Sequence, residues 1–340
     1  MKTKLHICIA TGIYPPEIGG PAQYAANLSA EWRKMGHAVT LGIFSRWHFL
    51  PTGIRHIFYF FSILPKVAKA DMVFVLDTFS CALPAVIAGI LLGKKIILRT
   101  GGDFLWESYV ERTGDLVLLS EFYKTRMGSL SQKERMIFKI TRFILRNATA
   151  LVFSTKWQQG IFWYPYGLQE RETIVVENYY GPKITGLAGV VKPSKQFLAS
   201  TRKLKWKNIP VLEEIFADPE IQKSASLFAK PLPHDAFLAE MQASYAVILA
   251  SLGDISPNMI LDAIRLNKPF IITKENGLSD RICDIALFVD PRDADDIKQK
   301  ILWLLDPANY AEQQKKIESF AFVHTWEEMA KEYIDIYHSL

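Results

Sequence analysis

Cysteine is scarce in this 340-residue chain: only Cys8, Cys81 and Cys283 occur, odd in number and far apart. That spacing argues against a disulfide framework or a paired-thiol metal site. Each lies in or beside an apolar run, so all three read as core thiols of a reducing compartment. Long apolar runs are lacking too. The richest, Ile54 to Leu64 and Cys81 to Leu92, fall short of the ~18 residues that a membrane span needs. Neither sign of charge dominates: 40 Lys and Arg against 35 Asp and Glu leave +5. That balance is modest for a nucleic-acid binder, and no nucleic-acid motif appears. There is no low-complexity tract and no repeat with a period of about 20–50 residues, which excludes fibrous and solenoid architectures.

What is present is a globular composition, 49% hydrophobic and 22% charged, with length for about two domains and two cores that need no staples. Met1 to Ala10 reads as a first strand rather than a secretory leader. Short apolar runs alternate with longer helical stretches. The strand candidates are Leu5–Ala10, Ala38–Phe44, Asp71–Leu76, Lys95–Thr100, Ala150–Ser154 and Thr173–Glu177, then Gln196–Ser200, Ser226–Ala229, Tyr245–Ala250, Pro269–Thr273 and Ala286–Val289. Runs apolar throughout are those of strands buried on both faces, and strands separated by helices imply βαβ units and parallel sheets.

Helix signals fall between them. Pro21 suits a first helical position; Ala25, Leu28, Trp32 and Met35 follow at helical spacing, and Gly36 marks the stop. Ser256-Pro257 starts another helix carrying Ile260, Leu261 and Ile264, and the chain reads as helical from about Ala294 onward. Gly181 to Lys195 has no clear period and reads as an interdomain linker. The expected fold class is α/β: two Rossmann-like, doubly wound parallel-sheet domains facing across a cleft. Residues 1–185 form the first, with a terminal helix at about 325–340 packing back on it; residues 192–324 form the second. Ligands of such sheets bind beyond the carboxyl ends of the strands.

Four clusters lie at such ends. Tyr14-Pro15-Pro16-Glu17-Ile18-Gly19-Gly20-Pro21 joins the first strand to the first helix, where glycines admit a ligand close to the backbone and helix amides face an anion; a tight turn without a ligand would look the same. Arg202 and Lys207 follow the first strand of the second domain and suit a diphosphate, although Lys203 and Lys205 make a solvated basic turn an alternative. Asp254, with Ser256 and Asn258, precedes a helix that carries Asp262 eight residues on. Two carboxylates there suit the hydroxyls of one elongated ligand, and helix capping is the competing role. Asp103, with Trp106 and Glu107, follows Arg99-Thr100-Gly101-Gly102; Asp103 or Glu107 could orient an acceptor hydroxyl, and Asp103 as a helix cap is the alternative.

Two further features concern surfaces. Trp47, Phe49, Phe58, Tyr59, Phe60 and Phe61 form an aromatic-rich stretch, expected in the core, with a lipid-tail or acceptor groove as the alternative. Arg135, Lys139, Arg142 and Arg146 recur among apolar residues. That pattern fits either an ordinary solvated helix or peripheral contact with anionic lipid.

At these residues the chain resembles glycosyltransferase family 4, retaining enzymes of the GT-B fold. The Gly19-Gly20 loop, helix and Gly36-His37-Ala38-Val39-Thr40 are similar to the family's opening. Arg202 and Lys207 match its diphosphate-gripping pair, Asp254 and Asp262 match the two acids of its E-x7-E motif, and His324-Thr325-Trp326-Glu327-Glu328 through Tyr337 resembles its terminal helix. The resemblance implies a hexosyltransferase-type enzyme (EC 2.4) in surface polysaccharide or glycoconjugate synthesis. It would move a sugar from a nucleotide-diphosphate-sugar to a glycan or lipid-linked acceptor with retention. Asp262 would hold the donor ribose and Asp254 the transferred sugar, and Gly20 would meet the donor phosphates through its backbone. No metal and no cofactor beyond the donor substrate would be needed. A cytoplasmic location is implied, with contact at the inner face of the membrane as a further expectation. A sugar-nucleotide epimerase of the same fold, or a degenerate member acting as a binding partner, are the alternatives.

Overall fold

In the computed structural model the described residues are 4–17, 19–169, 171–184, 194–199, 204–230 and 232–340. Arg202 and Lys203, Ile18 of the glycine loop, and residues 185–193 of the predicted linker lie outside them. By chain contacts the protein divides into two compact units. One comprises Met1–Leu105, Ser129–Asn178 and His324–Leu340; the other comprises Trp106–Gly128 and Tyr179–Val323.

The first unit is built on a sheet of six parallel strands: β1 (His6–Thr11), β2 (Ala38–Ile43), β3 (Met72–Val75), β4 (Lys95–Arg99), β5 (Ala150–Phe153) and β6 (Thr173–Val175), in the order β2-β1-β3-β4-β5-β6. Its helices, in chain order, are α1 (Gly20–Lys34), α2 (Ile54–Lys69) and α3 (Ala82–Leu91). After α4 (Phe104–Thr113) and α5 (Leu119–Thr125) come α6 (Gln132–Asn147) and α7 (Lys156–Trp163). The inner strands β3 and β5 are buried at every residue, as expected of a sheet covered on both faces. Helix α1 begins at Gly20, one residue before Pro21, and ends before Gly36, whose φ of 89° a side chain would strain.

The second unit carries five parallel strands, β7 (Lys195–Leu198), β8 (Ala225–Phe228), β9 (Ala246–Leu249), β10 (Phe270–Thr273) and β11 (Leu287–Val289), in the order β11-β10-β9-β7-β8. Its helices are α8 (Ile209–Phe216), α9 (Pro219–Gln222), α10 (His234–Ala243), α11 (Asn258–Arg265), α12 (Ser279–Ile282), α13 (Ala294–Leu305) and α14 (Pro307–Glu318). Two buried clusters flank this sheet. One gathers Phe197, Ile248, Ile271 and Ile297; the other gathers Leu198, Val247, Ile260, Phe270 and Ile272. Alternate residues of one strand thus enter opposite cores.

The last helix, α15 (Trp326–Ser339), is capped by a reciprocal Thr325–Glu328 box and packs on α1 in the first unit. The Tyr24 and Tyr333 hydroxyls are 2.7 Å apart, and Trp32 Nε1 donates to the Ala330 carbonyl at 3.0 Å. The helical run expected from Ala294 onward is broken at 306 and at 319–325. Asp306 ends one helix and caps the next through Ala308 and Asn309 N–H.

Trp106–Gly128 groups with the second unit rather than with its sequence neighbours. The Trp106 ring lies 5.5 Å from that of Trp206, Leu119 N–H donates to the Leu252 carbonyl at 3.1 Å, and Ser120 N–H reaches Glu275 Oε2 at 3.3 Å. Gly253 permits this approach: a Cβ there would meet Leu119 Cβ at 2.5 Å.

Two expectations are corrected. Cys8 and Cys81 are buried, but Cys283 is exposed on the segment after α12. The aromatic stretch is not core throughout. Tyr59 is fully buried, whereas Phe49, Phe58 and Phe61 are exposed, because the buried face of α2 is carried by Tyr59, Ile63 and Val67.

Candidate functional site

In the second unit the strand order reverses at β7, which lies between β8 and β9. A reversal of this kind opens a crevice at the carboxyl ends of the two strands that flank it. Two of the sequence clusters, through Lys207 and Asp254, and the segment after β10 stand at the ends of β7, β9 and the neighbouring β10.

After β7, a single turn of 3-10 helix, Lys205–Lys207, presents Trp206 and Lys207. Asn208 follows with a positive φ of 58°, and its side chain donates to the Pro291 carbonyl at 2.7 Å. That anchor holds the turn against the loop after β11. Lys205 N–H meets Glu111 Oε1 at 2.6 Å, pinning the other end of the turn.

After β9, the loop Ser251–Pro257 runs alongside this turn, with Leu252 N–H donating to the Trp206 carbonyl at 2.9 Å. The Lys207 ammonium forms an ion pair with Asp254 Oδ2, and the two side chains are only 9% and 13% exposed. The Ser251 hydroxyl donates to the same oxygen at 3.4 Å. The Trp206 ring backs the ammonium at 4.2 Å from its centroid. An ammonium has three N–H donors, so pairing with one carboxylate oxygen leaves donor capacity.

After β10, Glu275-Asn276-Gly277 closes on Asp254. Asp254 N–H donates to the Glu275 carbonyl at 2.9 Å, Gly277 N–H donates to the Asp254 carbonyl at 3.2 Å, and Asp254 and Asn276 form an isolated parallel bridge. Asn276 is itself buried and bonded to Thr273 O and Leu278 N. Sequence reading passed over Glu275, Asn276 and Trp206, although their position just beyond a strand was the same signal that singled out Asp254.

Helix α11 starts immediately after this loop, with Pro257 at its N-cap and no side-chain cap. Its first amides and the positive end of its dipole suit an anion. Ser256 Oγ and Trp206 Nε1 are buried without a hydrogen-bond partner among the described residues. Asn258 is exposed in the first turn. Ile260, Leu261, Ala263 and Ile264 bury one face of α11, which leaves Asp262 on another face, paired with Arg265 at 3.1 Å. Lys207 and Asp254 therefore touch directly, Ser256 and Asn258 share the loop and first turn beside them, and Asp262 lies one turn along the helix.

Gly19, Gly20 and Asp103 belong to the first unit. Gly19 precedes α1 in an extended conformation, and a Cβ there would meet Ile13 Cδ1 at 2.8 Å. The α1 terminus carries no acidic residue and no side-chain cap. Glu17 braces the loop by accepting from Tyr14 N–H at 3.3 Å and from the Ser45 hydroxyl. Asp103 is buried directly before α4, after a strand end tied by Gln158, which accepts from Thr100 Oγ1 and donates to the Gly101 carbonyl, each at 2.8 Å. Arg99 at the end of β4 is buried, stacked on Tyr24 and bonded to Asn178 Oδ1 at 2.5 Å. Among the described residues no group of three or more His, Cys, Asp or Glu is disposed to hold a metal ion.

No protein-family model and no curated protein matches the sequence. Solved structures do. Sucrose-phosphate synthase from Thermosynechococcus elongatus superposes with a TM-score of 0.68 at 13% identity, covering 99% of each chain. WaaG, a glycosyltransferase involved in lipopolysaccharide biosynthesis, superposes at 0.68 with 12% identity over 98% of this chain and 99% of the other. The catalytic domain of starch synthase IV from Arabidopsis thaliana, bound to ADP and acarbose, superposes at 0.64 with 11% identity over 99% of each. With its two parallel sheets of six and five strands, the chain has the GT-B fold of these enzymes.

Proposed function

We propose that the protein is a glycosyltransferase that takes a sugar from a nucleotide-diphosphate-sugar. The observation that carries this reading is the Lys207–Asp254 pair beside the uncapped start of α11, at the carboxyl ends of the two strands where the sheet order reverses. A cation with spare donors and a helix N-terminus together meet a diphosphate. The fold shared with sucrose-phosphate synthase, starch synthase and WaaG supports the same class of chemistry.

In this reading Lys207 neutralises charge that builds on the departing diphosphate, which is where fixed donors lower a barrier most. Ser256 supplies a hydroxyl that has no partner among the described residues, and Asn258 adds a first-turn contact. Asp262 accepts from the donor ribose. Asp254 holds Lys207 in place and, through its second oxygen, accepts from the transferred hexose. Arg202 adds a second cation, Gly19 and Gly20 bring backbone amides, and Asp103 orients the acceptor hydroxyl. No metal or further cofactor enters the step. The finer reading is a retaining, family 4-type hexosyltransferase acting on a glycan or lipid-linked acceptor in surface polysaccharide synthesis, on the cytoplasmic side of a membrane.

The test is a panel of sugar nucleotides with oligosaccharide and lipid-linked acceptors, monitored for free nucleoside diphosphate. Release that requires the acceptor supports transfer, and proton NMR of the product linkage reports retention or inversion. Nucleotide binding without turnover would instead identify a non-catalytic partner, and interconversion of the sugar without transfer an epimerase.

A further inference from the structure

Helix α2 is amphipathic in an unusual sense. Its buried face holds Tyr59, Ile63 and Val67. Its outer face is also apolar: Ile54, Ile57, Phe58 and Phe61 are 46%, 58%, 49% and 66% exposed. Those positions are spaced i, i+3, i+4 and i+7, one continuous stripe. The stripe extends beyond the helix, where Trp47 lies 5.8 Å from Phe58 and 6.2 Å from Phe49, which is 76% exposed. Helix α3 packs against α2, and its end exposes Ile90, Leu91 and Leu92. An exposed apolar stripe of this kind on a folded protein marks a binding face.

Along α2 and α3 themselves the charges have one sign. Residues 32–70 contain no Asp or Glu, nor do residues 78–102. Arg46 is exposed beside Trp47, and Lys69 is exposed at the C-terminal end of α2. On its other side α3 packs against α6, whose exposed residues include Lys133, Arg135, Lys139, Arg142 and Arg146 together with Met136 and Phe143. The one acid of α6, Glu134, is buried in a capping box with Ser131.

We propose that this α2–α3–α6 face docks on the surface of an anionic lipid bilayer. The aromatic and aliphatic stripe would enter the headgroup boundary, and the cations would meet lipid phosphates. At 16 residues, α2 is about 24 Å long; among the described residues no helix is long and apolar enough to cross a membrane, so the mode is lying on the surface. A second copy of the chain fits less well. A two-fold contact through this face would set Arg46, Lys69 and the α6 cations of each copy against those of the other, with no acid on α2 or α3 to relieve them. The surface belongs wholly to the first unit, and the proposal stands independently of the donor chemistry.

The experiment is sedimentation of the full protein with phosphatidylcholine vesicles, with and without roughly a third phosphatidylglycerol. The expected result is pelleting with the anionic vesicles only, weakened by salt. Phe58→Ser/Phe61→Ser should lower the partition coefficient on the order of tenfold while leaving the melting temperature and nucleotide binding unchanged. Arg135→Glu/Lys139→Glu should abolish the preference for anionic lipid. Three outcomes would overturn the proposal: wild-type protein that stays in the supernatant, vesicle binding that both variants retain, or a solution dimer that the Phe58/Phe61 substitutions dissolve.

Discussion

Replacing Lys207 with Ala removes the ammonium paired with Asp254 Oδ2 and leaves that oxygen the Ser251 hydroxyl at 3.4 Å. An exposed ion pair contributes about 0–1 kcal/mol; stranding one charge of a buried pair costs about 3–5 kcal/mol. With side chains 9% and 13% exposed, the pair lies nearer the buried limit, and a loss near ~3 kcal/mol is expected. Asp254→Ala should cost less, because the lysine stem is flexible and its ammonium keeps the Trp206 face at 4.2 Å. The double variant strands neither charge. A double-mutant cycle by urea denaturation should therefore give a coupling of about 1–3 kcal/mol. The same Lys207→Ala change should weaken nucleoside diphosphate binding by about 1.5–3 kcal/mol, roughly 10- to 150-fold in Kd, by calorimetry. Additive stability effects together with unchanged nucleotide affinity would refute both the pairing argument and the placement of the diphosphate.

Three further outcomes follow from local geometry. Gly253→Ala sets a Cβ 2.5 Å from Leu119 Cβ and should cost about 1–3 kcal/mol in urea unfolding; an unchanged midpoint would mean that Trp106–Gly128 does not pack there. Ser256→Ala removes a buried hydroxyl that has no partner among the described residues, so it should leave stability unchanged or slightly raised while weakening donor affinity; a stability loss with intact affinity would make Ser256 structural. Burial pushes the Cys8 thiol up to about 11 and raises that of Cys81, while Cys283 is exposed. The thiolate of Cys8 forms only as pH rises towards its raised value, so near pH 8 a disulfide reagent should titrate one thiol in the native protein and all three after denaturation; faster native reaction would show that the β1 core opens.

The strands were legible because a parallel sheet covered on both faces demands unbroken apolar runs. Ala246–Leu249 and Phe270–Thr273 have no other plausible place, and all eleven expected strands form within a residue or two of their predicted ends. Lys207 and Asp254 were singled out as polar groups that follow such runs, and the structure brings the two into contact. Glu275 and Asn276 follow one too, yet their contribution is a backbone bridge to Asp254, which side-chain chemistry does not announce. The outer face of α2 was not legible: Ile57, Phe58 and Phe61 have core composition, and only the packing of Tyr59, Ile63 and Val67 shows which side is left outward. The grouping of Trp106–Gly128 with the second unit rests on long-range contacts such as Trp106 with Trp206, and these have no local signature.

The most direct measurement is a thermal-shift panel of nucleosides, nucleoside monophosphates, nucleoside diphosphates and nucleotide-sugars on wild-type and Lys207→Ala protein. A ligand at about 100 times its Kd adds roughly 2.7 kcal/mol to the folded state. The account predicts a clear rise in melting temperature with one nucleoside diphosphate and its sugar conjugate, little with the matching nucleoside, and a much smaller rise in the variant. A wild-type protein whose melting temperature no diphosphate moves, or a variant that responds as the wild type does, would contradict it.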